Sequence, residues 1–212
     1  MIRNDYLMRA IQQLSQAFGQ LIAGKDAESP TDSLDIIEAH IADALNTRRE
    51  FLFSQDIATV GEFDPRLAAE LGRMFALHAR VALKTGRADL APLSTAWAFR
   101  CLIRALGQID TPSALLAEAE LTSMLRHDVT EIHGAQFALP AYVALFDFAR
   151  RTKRVSRAED SLFAAISLGA PSEIVNTGRQ FFAGLLDLDD GELAQYQTSR
   201  DEIRELLDEL DS

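Results

Sequence analysis

Leu7, Ile11, Leu14, Phe18 and Leu21 follow one another at alternating steps of four and three, which puts them on one stripe of a first amphipathic helix. Gly24 is placed to end it, and the polar stretch KDAESPTDS reads as a linker. A second stripe of Leu34, Ile37, Ile41 and Ala44 or Leu45 follows, with Asp32 or Ser33 as its expected cap. From Phe53 to Phe63 the pattern is less regular. Asp64-Pro65 then pairs a capping acid with a proline at the first helical position, where the missing N–H is not needed. Leu67, Leu71, Met74, Phe75, His78, Val81 and Ala82 share one face of the helix that follows, and Gly86 is placed to stop it.

A central helix is expected from about Asp89 to Ala105, with one stripe of Leu90, Leu93, Trp97, Cys101 and Ala105 and a second of Ala98, Leu102 and Leu106. Thr111-Pro112 repeats the cap-then-proline signal and opens a helix to about Arg126. Pro140 is expected in the first turn of the next, which ends near Thr152. Ser156-Arg157-Ala158-Glu159 spells a capping box for a helix ending near Gly169, and Pro171 opens another to about Leu186. Ser199-Arg200-Asp201-Glu202 is a second box, ahead of Ile203, Leu206, Leu207 and Leu210. No strand pattern competes with these stripes. The expected fold is all-α, with about nine helices in antiparallel pairs forming an irregular layered array. The expected organisation is a single helical domain over 1–212, comprising an N-terminal helix pair at 1–47, a central array at 64–186 and an acidic C-terminal segment at 187–212.

Charge changes this picture at two places. The net charge is −11, and between Asp187 and Ser212 ten acidic residues stand against Arg200 and Arg204. Arg150, Arg151, Lys153, Arg154 and Arg157 form a basic run without an intervening acid, and they are the candidate charged interaction patch. The acidic last helix is expected to contact or screen that run. An acidic chain is a poor ligand for nucleic acid, because phosphate binding relies on Lys and Arg displacing counterions. The opening residues lack the continuous apolar core of a signal peptide, and no run approaches the ~20 apolar residues that cross a bilayer. One cysteine, Cys101, allows no internal disulfide, so a cytoplasmic location without a membrane anchor is expected.

Candidate chemistry is sparse. No phosphate-binding, dinucleotide-binding, hydrolase or zinc-protease motif is present, so no cofactor and no catalytic residue is assigned. His127, Asp128, Glu131 and His133 crowd together, but at a spacing that fits no helical zinc motif, and no metal is expected. His78 lies on an apolar stripe and reads as a satisfied core histidine, and Cys101 as a small buried hydrophobe.

Two resemblances add to these readings. Residues 142–171 resemble a tetratricopeptide unit, with Tyr142, Leu145 and Ala149 on the first helix, Ala158, Leu162 and Ala165 on the second and Pro171 near its end. Phe146 and Lys153 stand where the consensus has glycine. The opening M-I-R-N-D-Y-L-M-R and the segment DPRLAAELG resemble an uncharacterised bacterial family catalogued as a domain of unknown function, over roughly residues 1–105. This implies no activity. The leading expectation is a non-enzymatic scaffold that binds a protein or peptide, and the alternative is an enzyme or small-ligand bundle with a site assembled from distant helices. The first helix, through its Leu7-to-Leu21 seam, is a candidate homodimer contact.

Overall fold

A computed structural model describes residues 2–23, 30–54, 56–107, 112–127 and 135–211. Among these residues every regular element is helical: α1 (Ile2–Ile22), α2 (Pro30–Ala44), 3-10 helices at Arg49–Ser54 and Ile57–Glu62, α3 (Pro65–Lys84), α4 (Ala91–Ala105), α5 (Pro112–His127), α6 (Ala135–Arg151), α7 (Val155–Ser167), α8 (Ser172–Leu185), α9 (Asp190–Gln195) and α10 (Arg200–Leu210). The protein is all-α, as the stripes require. Its contacts group into two compact units, Met1–Ala135 and Gln136–Ser212, a division that falls inside the 64–186 stretch.

In the N-terminal unit α3 is the hub, packed by α1, α2, α4 and α5. Asp64 caps it, accepting from the Arg66 N–H at 2.9 Å, with Pro65 in the first turn. It ends where Gly86 takes φ +77°, a left-handed conformation that suits glycine. Trp97 of α4 stacks on Phe75 of α3 at 5.3 Å, and both are buried. The α3–α4 approach is close enough that a Cβ on Gly72 would stand 2.7 Å from Leu102 Cγ. On α1 the buried side is Ala10, Leu14, Ala17 and Phe18, while Leu7, Ile11 and Leu21 are half-buried. Of the Leu7-to-Leu21 seam, Leu14 and Phe18 are thus buried within the unit, where α1 packs against α2 and α3.

Several boundaries differ from the sequence reading. α2 begins at Pro30, ahead of Asp32 and Ser33, because proline is well suited to a first turn. Pro140 lies inside α6, which starts at Ala135, so the proline forgoes one backbone bond without ending the helix. The irregular stretch after α2 forms two 3-10 helices, the second capped by Asp56. The Asp189–Glu192 capping box, unrecognised in the sequence, opens α9.

The C-terminal unit has its own core. Phe146, Ala149, Val155, Ala158, Leu162, Phe182, Leu185, Leu193, Ile203, Leu206 and Leu210 converge from α6 to α10. Two arginines fix α10 at its ends. Arg200 donates to the Leu186 and Leu188 carbonyls at 2.6 and 2.7 Å, and Arg179 of α8 donates to the Leu210 carbonyl and pairs with Asp211 at 2.8 Å. A cation at a helix C-terminus satisfies carbonyls that have no partner within the helix.

Candidate interaction groove

The residues with chemical potential fall into two settings, one sealed and one open. The sealed one surrounds His78, which is fully buried on α3. Its Nδ1 lies 2.8 Å from Ser94 Oγ of α4, and its Nε2 lies 3.1 Å from Glu38 Oε1 of α2. The other Glu38 oxygen accepts from Arg49 Nε at 2.7 Å, and Arg49 also pairs with Asp35. Phe53 covers the imidazole at 5.6 Å.

Burial holds the His78 pKa below the usual histidine value; Glu38 opposes that shift, while Arg87 and Arg49 reinforce it. The neutral ring is therefore the form at pH 7, with Nε2–H donating to Glu38 and Nδ1 accepting from the Ser94 hydroxyl. On protonation Nδ1–H would donate to Ser94 Oγ, and the hydroxyl would turn to the Leu90 carbonyl 2.9 Å away. Serine, histidine and carboxylate in series invite comparison with a hydrolytic triad. Here Ser94 and His78 are both 0% exposed, so a substrate carbonyl has no approach to Oγ, and the relay ties α2, α3 and α4 together. Glu38 and Ser94 went unrecognised in the sequence because they lie 40 residues before and 16 after the histidine.

The unfolded chain takes up a proton near pH 6.5, whereas folded His78 resists it, so this group's contribution to stability is present above pH 6.5 and is lost as pH falls below it. Glu70 acts oppositely. Burial raises its pKa despite Arg73 at 3.1 Å, so its contribution declines as pH rises above the usual glutamate range. Urea midpoints for wild type and His78→Gln at pH 7.5 and 5.5 should separate the two. A shallower loss in the variant is expected, and parallel losses would remove His78 as the source. Cys101 is also fully buried, and burial pushes its thiol pKa up, so it packs as a hydrophobe. The run from Asp128 to His133 lies outside the described residues, as does the His127 side chain. Among the described residues no three His, Cys, Asp or Glu side chains converge to hold a metal.

The open setting lies on the C-terminal unit, where α7, the 195–198 turn and α10 enclose two clefts. One, of about 420 Å³, is lined by Lys153, Arg154, Arg157, Asp160 and Tyr196 together with Val155, Ser156 and Gln197. The other, of about 330 Å³, is lined by Glu159, Glu202, Glu205 and Glu209 and again by Val155, Ser156 and Gln197. A cationic cleft and an anionic cleft therefore share one wall.

Of the five residues in the basic run, three line the cationic cleft. Arg150 and Arg151 instead pair with Asp147 on their own helix, at 2.7 and 2.8 Å. The Arg154 guanidinium lies 4.9 Å from the Phe148 ring centre, and Lys153 Nζ lies 5.7 Å from that of Tyr196. The acidic helix docks through buried Ile203, Leu206 and Leu210. Its Asp201 and Asp211 pair with Arg204 and Arg179, outside the basic run.

Local structure at the shared wall departs from the expected pattern. The Ser199–Glu202 box is closed: Glu202 accepts from the Ser199 N–H at 2.7 Å, and these bonds hold its pKa below the usual glutamate range. The Ser156–Glu159 box is not formed. α7 begins one residue earlier, with Arg154 at its N-cap and no side-chain cap bond, which leaves Ser156 and Glu159 to line the clefts. Burial, and then Asp160, Glu209 and Glu202, push the Glu159 pKa up. Lys153 and Gln197 take φ +55° and +57°, left-handed values that disfavour residues other than glycine. Such strain marks places where the surroundings over-determine the backbone.

No curated protein and no solved structure matches the chain. A family model does match, and its match continues beyond the N-terminal resemblance to the end of the sequence. It spans residues 1–212, and the chain belongs to this Family of unknown function (DUF6483).

Proposed function

We propose that this protein is a non-enzymatic helical interaction module, in which the groove formed by α7, the 195–198 turn and α10 receives a protein or peptide partner. The observation that carries the reading is the contrast between the two settings. His78, Ser94 and Cys101 are sealed in a core, whereas oppositely charged side chains line two adjoining open clefts. Paired helices present such grooves in tetratricopeptide-like modules, and the segment that resembles such a unit, 142–171, runs through α6 and α7, joined by residues 152–154. The reading includes bacterial cytoplasmic residence. Among the described residues no helix is long and apolar enough to cross a membrane.

A photo-crosslinking amino acid at Gln197 of the full chain tests the groove in cells. Irradiation should yield discrete adducts with a second polypeptide. The same substitution at Glu62, exposed on a 3-10 helix of the N-terminal unit, should yield none. Equal adducts at both positions, or none at Gln197, would count against the groove.

A further inference from the structure

The walls around buried His78 are not equally strong. α2 supplies Glu38, α4 supplies Ser94, the turn after α3 supplies Arg87, and the 3-10 helix Arg49–Ser54 supplies Arg49 and Phe53. This last wall is six residues long and packs against α2. Leu52 is its fully buried residue and Phe53 is half-buried, whereas Arg49, Glu50, Phe51 and Ser54 are exposed. Segments with few buried apolar side chains open at the lowest local cost. Between α2 and this segment Asn46 takes φ +50°, a left-handed value that asparagine tolerates better than most residues. Two side chains hold the segment down. Phe53 packs on His78 at 5.6 Å and on Phe75 at 6.3 Å, and Arg49 reaches back to Asp35 and Glu38.

Glu38 serves both the segment and the ring, accepting from Arg49 on Oε2 and lying 3.1 Å from His78 on Oε1. With a neutral imidazole this arrangement encloses no extra charge. A charged imidazole would sit beneath Phe53, shut off from water and within the field of Arg49 and Arg87, while Asp35, the second carboxylate on Arg49, is exposed. Enclosing an ion is costly, and lifting the 3-10 helix would both hydrate the ring and withdraw Arg49. From this geometry we infer that Arg49–Ser54 is a proton-operated strap, closed over neutral His78 and opening when the imidazole is charged, which uncovers Phe53 and the His78–Ser94–Glu38 relay. In the open form the ring regains an ordinary histidine affinity for protons, near pH 6.5, whereas the closed form binds them more weakly, chiefly through burial. Protons therefore favour the open form, whose share rises as pH falls through that value. Covering Leu52 and Phe53 keeps the closed form predominant, so acid shifts a population rather than unfolding the unit. The strap lies in the N-terminal unit and is independent of the groove.

Hydrogen exchange of the full chain at pH 7.5 and 5.5, in the regime where it follows the opening equilibrium and corrected for the intrinsic rate, tests the strap. Protection of the Arg49–Ser54 amides should fall several-fold at the lower pH, with a ceiling of about tenfold if the closed ring stays neutral throughout, while α3 and α4 keep theirs. His78→Gln should remove the difference, which assigns it to this imidazole rather than to another histidine. Phe53→Ala, at a half-buried position, is the second variant: with the ring uncovered, strap protection should be weaker at both pH values and the ratio between them smaller. Equal strap protection at the two pH values in the wild type would overturn the inference. So would a loss shared equally by α3 and α4, which is unfolding of the whole unit, or an undiminished pH dependence in either folded variant.

Discussion

Phe182→Ala is expected to destabilise the C-terminal unit by about 3–5 kcal/mol, the range for truncating a buried phenylalanine. Phe182 is fully buried on α8, in the cluster where α6, α7, α8, α9 and α10 meet. The deletion removes apolar contact and leaves a cavity that rigid helices close only in part. It lies outside the groove lining, so any loss of peptide binding would follow from unfolding of the helices that carry the clefts. Urea unfolding followed by circular dichroism measures the cost. The single tryptophan, Trp97, lies in the N-terminal unit, so its emission reports that unit separately. A loss under about 1 kcal/mol would show that this core tolerates the cavity and that Phe182 is not its centre.

Gly72→Val should have the next largest effect, a loss of about 2–3 kcal/mol, by the opposite physics. Replacing an interior helical glycine ordinarily helps, but by less than about 1 kcal/mol, and a β-branched residue recovers only part of that. Against the gain stands overpacking, at roughly 1–3 kcal/mol and occasionally more. The new Cβ would lie 2.7 and 2.8 Å from Leu102 Cγ and Cδ2 and 3.1 Å from the Leu102 backbone nitrogen. Leu102 is fully buried, so its side chain has little room to retreat, and the backbone contact requires α3 and α4 to separate. Adding Leu102→Ala should relieve the side-chain contact but leave the backbone one, giving incomplete recovery in this respect and a cavity penalty in another. An unfolding midpoint equal to or above wild type for Gly72→Val would contradict the close-approach argument. Trp97, on the same helix as Leu102, provides the fluorescence readout.

Helix identity was legible from local order because a 3.6-residue repeat imposes the same spacing on the sequence that it imposes on the backbone. Leu34, Ile37 and Ile41 are buried as their stripe requires, Asp64 caps α3, and Ser199 closes its box on Glu202. These interactions join residues only two to four positions apart. The same locality explains the failure at Ser156 and Glu159. Their spacing permits a box, but Arg154 takes the N-cap when the α6–α7 turn and the packing around Val155 place the chain.

The sealed relay and the open groove depended on distant parts of the chain. Nothing in the residues around His78 singles out Glu38 or Ser94; the packing of α2, α3 and α4 brings those polar atoms together and makes burial, rather than sequence context, govern the histidine pKa. The basic run was visible as a charge pattern, yet the fold divides it: Arg150 and Arg151 pair with Asp147 one turn back on their own helix, while Lys153, Arg154 and Arg157 line a cleft. Glu159 and the α10 glutamates become one anionic lining only when α10 docks through Ile203, Leu206 and Leu210. Sequence by itself determined helix type, apolar faces and charge composition, since those follow from neighbouring residues; tertiary packing decided which polar groups were enclosed and which opposite charges shared a wall, because both depend on distances between remote segments.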